Sequence, residues 1–334
     1  MDSVALIDFT RRLIDIDSTT GREGEAGTFI ASHLRSLGYT VTEQPVSDGR
    51  FNILATLADP AVMLSTHFDC VPDFFPSRIE GGRLHGRGSS DAKGTLAAQI
   101  AACERLRQSG ETRVGLLFVV GEERGSDGAV AANTLARPSS RFLVNGEPTD
   151  NRLGAATRGV YRVKLVAKGR AAHSSRPDLG ESAIDKLVNA LMALRGVNWP
   201  ADPVLGLTHY NVGVIAGGVA PNVIPADASA ELLFRSVGEE RMLLALIEGA
   251  VGRLVAIEEV LTVPTVRLKV LDGFKTAVFS YTTDIPFLDR WGTPLLLGPG
   301  SVEMAHTADE SVAIAELHEA VDLYAGVVRT LLTH

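Results

Sequence analysis

Val114-Gly115-Leu116-Leu117-Phe118-Val119-Val120, followed at once by Gly121-Glu122-Glu123, is the stretch from which the fold can be read. An unbroken apolar run of this length reads as a parallel strand buried on both faces. Two shorter runs repeat the arrangement: Val62-Met63-Leu64 leads to His67, and Phe142-Leu143-Val144 leads to Glu147. In an open α/β sheet the crevice beyond the carboxyl ends of the strands is where ligands bind, so residues far apart in sequence can share one site there. Asp91, in Gly88-Ser89-Ser90-Asp91-Ala92-Lys93-Gly94, precedes an amphipathic stretch with Leu96, Ile100 and Cys103 on one face, and is predicted to be its helix N-cap.

Up to about residue 157 helix and strand alternate. Val4, Ile7, Arg11 and Ile14 mark a first helical face, and a second helix runs from Glu25 to Leu37 with Gly38 closing it. This predicts an α/β domain with a mostly parallel sheet and helices on both faces. From about Arg158 the order becomes strand, helix, strand, strand, helix, strand: Val160 to Ala167, Ala183 to Leu194, Tyr210 to Ile215, Ala228 to Phe234, Glu239 to Val255, and Val266 to Val270. That is the order of a ferredoxin-like α+β unit, predicted as an insertion over 158–270. Residues 1–157 and 271–334 then form the first domain, and Leu295-Leu296-Leu297 leads into the loop that carries His306.

With 334 residues, 45% hydrophobic, the chain can fill two cores, and a formal charge of −8 argues against nucleic acid and anionic membrane as partners. The two cysteines, Cys70 and Cys103, show no Cys-x-x-Cys spacing and suit a reducing compartment. The first residues lack a basic start followed by an apolar stretch, and no run reaches the roughly 18 apolar residues of a membrane span, so a cytoplasmic protein is expected.

His67, Asp91, Glu122, Glu123, Glu147 and His306 are the nitrogen and oxygen donors that a two-zinc hydrolytic site needs. A carboxylate shared by two metals makes bound water acidic near neutral pH, and Asp91 is the candidate bridge. Of the adjacent acids Glu122 and Glu123, one can ligate while the other shuttles a proton from water to the leaving amine. Asp69, two residues after His67, is spaced to hydrogen-bond the far imidazole nitrogen. Arg158 can offer a guanidinium fork to a substrate carboxylate. His33, His85, His209, His318 and His334 lack a ligand-like neighbourhood and are expected on the surface or on helices. There is no Gly-x-Ser-x-Gly for a serine hydrolase and no phosphate nest for a phosphoesterase.

The segments Ser65-Thr66-His67-Phe68-Asp69-Cys70-Val71-Pro72, Gly86 to Gly94, Gly121-Glu122-Glu123, Asn145-Gly146-Glu147-Pro148, Ala172-His173-Ser174 and Ala305-His306-Thr307-Ala308-Asp309-Glu310 resemble the ordered motifs of the zinc aminoacylase and carboxypeptidase superfamily. That superfamily includes acetylornithine deacetylase and succinyl-diaminopimelate desuccinylase. The resemblance implies that His67 and Glu147 hold one zinc, that Glu123 and His306 hold the other, and that Asp91 bridges them. Cobalt or manganese would be able to substitute. It further implies that Glu122 is the general base and that His173 stabilises the oxyanion, often from the partner subunit of a dimer formed through the inserted lid domain. Asn222 and Arg235 would touch substrate.

The expected activity is a two-zinc amidohydrolase removing the acyl group from an N-acylated amino acid, as acetylornithine deacetylase does. The same site would serve a dipeptidase or a glutamate-type carboxypeptidase acting on a short peptide. Glu147, rather than Asp, resembles the deacylating and carboxypeptidase members. A catalytically dead scaffold would have lost a ligand or the base, and none is missing.

Overall fold

The computed structural model describes residues 3–136 and 139–333. The chain divides into two compact units: Met1–Ala155 with Leu268–Ala277 and Thr283–His334, and Ala156–Arg267 with Val278–Thr282.

The first unit is built on a six-stranded sheet whose order across the sheet is Thr40–Ser47, Arg50–Thr56, Val114–Val119, Val62–His67, Phe142–Asn145, Thr293–Leu296. The last four run parallel to one another, and the first two join them antiparallel at one edge. Successive side chains of a strand face opposite ways. Val62, Leu64, Leu116, Phe118 and Val144 accordingly enter one apolar cluster, with Leu13, Ile30, Leu96, Ile100 and Leu317 from the helices. Met63, Leu117, Val119 and Leu143 enter the other, with Ala129, Ala132, Leu288 and Trp291. Both faces are therefore covered, which explains why these strands carry no polar alternation. Burying a side chain of the size of Leu or Phe stabilises by about 1.5–3 kcal/mol.

Helix Gly24–Ser36 ends as expected, with Gly38 at φ +90° and the Tyr39 amide returning to the Leu34 carbonyl. Two local expectations are corrected. Helix Ser3–Ile14 buries Leu6, Phe9, Thr10, Leu13 and Ile14, so of the expected face Ile14 is in the core and Ile7 packs partly buried against it, while Val4 and Arg11 are exposed. Helix Lys93–Gln108 is buried almost all round, because it lies between the sheet and helices Ser3–Ile14 and Ile314–Leu332, and Ala92 rather than Asp91 occupies its cap position.

The second unit has a four-stranded antiparallel sheet in the order His209–Gly217, Asp227–Ser236, Gly159–Lys168, Ala256–Val263, with helices Ala183–Arg195 and Glu240–Val251. Its own core gathers Tyr161, Val163, Leu165, Leu187, Leu232, Phe234 and Ile247. The last strand is Ala256–Val263, not Val266 to Val270. The second helix stops at Val251 before Gly252, and the strand that follows is an exposed edge carrying Glu258 and Glu259, so its apolar signal is weak. Val266–Arg267 pairs instead with Leu153–Thr157 in a separate small sheet. Among the described residues no helix is long and apolar enough to cross a membrane.

Candidate metal centre

Strand Val62–His67 ends on His67, which is fully buried. Its neighbours on either side of the sheet deliver the acids. Strand Val114–Val119 runs into Gly121, whose φ of +78° turns the chain so that Glu122–Arg124 can form a short 3-10 turn; a Cβ at Gly121 would collide with the Asp127 carboxylate. Strand Phe142–Asn145 ends two residues before Glu147.

His67 Nε2 lies 3.0 Å from Asp91 Oδ1 and 3.8 Å from Glu147 Oε2. His306 Nε2 lies 3.0 Å from Glu123 Oε1 and 3.3 Å from Asp91 Oδ2. The two triads, His67-Asp91-Glu147 and Asp91-Glu123-His306, share only Asp91, one oxygen facing each imidazole. A tetrahedral shell with bonds of ~2.0–2.2 Å separates neighbouring donor atoms by ~3.3–3.6 Å, close to the spacing found here. Glu147 Oε1 is buried without a hydrogen-bond partner, an orphan that a cation would satisfy. The donor set and its spacing fit two divalent ions.

The electrostatics agree. Burial pushes the Glu122 carboxyl well above the usual range, opposed by His67 and reinforced by the nearby acids Asp284, Glu123 and Asp91. Burial likewise raises Glu147 and Glu123. His306 is pushed up to about 10 by its bonds to Asp91 and Glu123. So many acids packed together hold on to protons that a divalent cation would displace.

Asp69 does more than the sequence suggested. Its Oδ1 lies 3.3 Å from His67 Nδ1, while its two oxygens accept the backbone N–H groups of Glu122 at 3.1 Å and Glu123 at 3.3 Å. His67 Nδ1 also lies 3.1 Å from the Asp69 backbone carbonyl, so Asp69 as a whole orients the imidazole while its carboxylate holds the turn bearing the two acids; Thr20 Oγ1 donates to that carboxylate as well, at 2.8 Å. His306 sits at φ +63°, a left-handed conformation unusual for a side-chain-bearing residue and tolerated where the surroundings fix it.

Asp284 was not anticipated. It is fully buried, and burial raises its carboxyl to about 7, with His67 and Ser126 pulling the other way and Asp69 and Asp127 adding repulsion. In sequence it is an acid at a turn before a proline, which gives no sign of burial. Cys70, beside the site, has a thiol pushed up to about 12 by burial and packs against Ser18 Oγ and the Asp91 carbonyl, consistent with a core residue. His85 corrects the surface expectation: it is buried in a short strand, with Nδ1 3.1 Å from the exposed Asp309 carboxylate. His334 lies outside the described residues.

The remaining predicted residues belong to the second unit. His173 and Asn222 are neighbours there, the Ser174 amide donating to the Asn222 carbonyl at 3.0 Å. The His173 ring is exposed, and its Nδ1 accepts from the Ser175 amide at 3.2 Å. Arg235 is half-buried, and burial weakens its hold on its proton; no ion pair involves it among the described residues. It pairs across the sheet with His209, whose Nδ1 lies 3.1 Å from the Arg158 guanidinium.

The model of Peptidase family M20/M25/M40 matches residues 63–330. A probable carboxypeptidase of Neosartorya fischeri is 35% identical over 381 residues, covering 98% of this chain and 86% of its own length. Among solved structures, the fold is similar to that of the aminopeptidase PepT of Bacillus cereus, with a TM-score of 0.84, 20% identity and 99% of each chain covered. It is also similar to a dinuclear metal-binding peptidase of Bacillus subtilis, with a TM-score of 0.73, 17% identity and 99% of each chain covered.

Proposed function

The chain belongs to peptidase family M20/M25/M40, a hydrolase acting on amide or peptide bonds, and from that premise we propose that it cleaves a linear amide next to a free carboxylate, as a two-zinc carboxypeptidase. The observation that carries the reading is Asp91, with one oxygen toward each of two imidazole-carboxylate groups and Glu122 beside them. His67 and Glu147 would hold one zinc and Glu123 and His306 the other, with Asp91 available to both, and the ions would supply the Lewis acidity that lowers the pKa of water and polarises the scissile carbonyl. Glu122 takes the proton from the attacking water and delivers it to the departing amine nitrogen. Asp69 keeps His67 in the tautomer that ligates through Nε2. Because the His173 Nδ1 accepts a backbone N–H, its proton is on Nε2, where it can donate to the oxyanion that develops on the substrate. Asn222 and Arg235 contact the substrate, Arg235 through a guanidinium with no ion pair among the described residues and Arg158 linked to it through His209.

Removal of an acyl group from an N-acylated amino acid is the second reading, with acetylornithine deacetylase-like action as its nearest form. It leaves the same carboxylate-bearing product, and Glu147 in place of aspartate is compatible with both readings. The relative named as a probable carboxypeptidase favours the peptide substrate. A homodimer through the second unit is part of the proposal. Strand His209–Gly217 is a free sheet edge with Val212, Val214 and Ile215 exposed, and Ile184, Val188 and Met192 are exposed on helix Ala183–Arg195. A cytoplasmic location fits the reduced, buried cysteines.

The test is a panel of N-acetyl and N-succinyl amino acids and dipeptides with free or amidated C-termini, scored by released amine with zinc or cobalt present. Loss of tenfold or more in kcat/KM on amidation, about 1.4 kcal/mol, is expected. Equal rates on free and amidated substrates would overturn the carboxylate requirement, and the ratio of peptide to N-acyl turnover separates the two readings.

A further inference from the structure

Asp91 lies in the loop Gly86–Asp91, and the backbone of that loop closes on one side chain. The amides of Gly88, Ser90 and Asp91 each donate to Glu310 Oε1 at 3.0 Å. The other oxygen, Oε2, accepts from Arg87 Nη1 at 2.7 Å, and the Gly86 amide donates to the Glu310 carbonyl at 3.0 Å. Glu310 is fully buried and Arg87 nearly so. Arg87 is held in turn by the Asp73 carbonyl at 3.1 Å and lies 5.1 Å from the centre of the Phe75 ring. Successive backbone N–H groups converging in this way form a nest that binds anions, and here the anion is the protein's own carboxylate. Its position is fixed because Ser311, the next residue, pairs with His85 in a small sheet.

We propose that Glu310 is the positioning residue for the metal bridge: by binding the Asp91 amide it sets the rotation of the loop that gives one Asp91 oxygen to each metal. The inference rests on the two-metal reading above and adds a requirement to it. Glu310 touches neither metal nor substrate. Loss of its grip should therefore leave ligand identity unchanged and affect the sharing of Asp91.

The experiment titrates cobalt into metal-stripped wild type, Glu310→Gln and Glu310→Asp, following visible absorption and electron paramagnetic resonance. In wild type the second equivalent should couple magnetically to the first and suppress its signal. In Glu310→Gln, which keeps an acceptor but loses the charge facing Arg87, the second equivalent should bind 10- to 100-fold more weakly, the range for groups supporting metal ligands, and the coupling should fall. Glu310→Asp, one methylene shorter, keeps the charge and should show a smaller loss; it carries the test if the glutamine variant does not fold. Wild-type affinity and coupling in whichever variant folds would overturn the role of Glu310 alone. A wild type that takes up fewer than two metals would overturn the two-metal reading as well.

Discussion

Replacing Asp284 with asparagine isolates one buried carboxyl beside the metal centre. In the metal-free protein its proton is held to about 7 instead of the ordinary 3.8, chiefly because burial disfavours the charge. At 1.36 kcal/mol per pH unit, the roughly three-unit difference corresponds to about 4 kcal/mol. The sign follows from which state keeps the proton. Between pH 4 and 7 the unfolded chain has released it and the folded chain has not, so this group's contribution is fully present below about pH 4 and is lost as pH rises to 7. Asparagine cannot ionise. Metal-free Asp284→Asn should therefore gain on wild type by up to about 4 kcal/mol from pH 4.5 to pH 8, measured by urea unfolding at steps of half a pH unit. Two bound divalent ions oppose the same charge penalty, so the gain should shrink in the loaded protein. A difference between variant and wild type that is flat across that range would refute the argument.

Glu122→Gln should retain two metals and a folded structure while kcat falls about 10²- to 10⁴-fold, the range for a positioned acid-base group; near-normal turnover with full metal content would remove the base assignment. Stripping the metals with a chelator should abolish activity and zinc or cobalt should restore it. Because the His306 proton is held to about 10 in the metal-free protein, each loading should release protons and apparent affinity should climb from pH 6 to pH 9, which a pH-indicator titration reads directly. Ile215→Arg, on the exposed edge of the second unit, should shift the protein from dimer to monomer in sedimentation without loss of helical signal. Mixing His173→Ala with Glu122→Gln subunits should recover activity if His173 serves the partner's site; no recovery would count against sharing.

His67, Glu123 and Glu147 were legible because they follow strands too apolar to be anything but buried, and strand ends converge whatever lies between them. His67, Asp91 and Glu147 come together, as do Asp91, Glu123 and His306. What the sequence concealed depends on packing partners that periodicity cannot name. Val4 looked like a core residue and is exposed, because helix Ser3–Ile14 is rotated to present Leu6, Phe9 and Leu13 to its neighbours. The edge strand Ala256–Val263 hid behind its glutamates, since an edge needs little apolar surface. Asp284 is an ordinary acid in sequence, and Glu310 stood in a motif without a role of its own; their burial marks both out.

The bond from the Asp91 amide to Glu310 spans 219 residues, with the whole second unit between its ends. At synthesis rates of roughly 5–20 residues per second, Asp91 leaves the ribosome roughly 10–45 s before the carboxylate that anchors it. Strand Thr293–Leu296 and His306 also arrive late. The nascent protein therefore holds four of its five candidate ligands, His67, Asp91, Glu123 and Glu147, long before His306 and the carboxylate that anchors Asp91 are made.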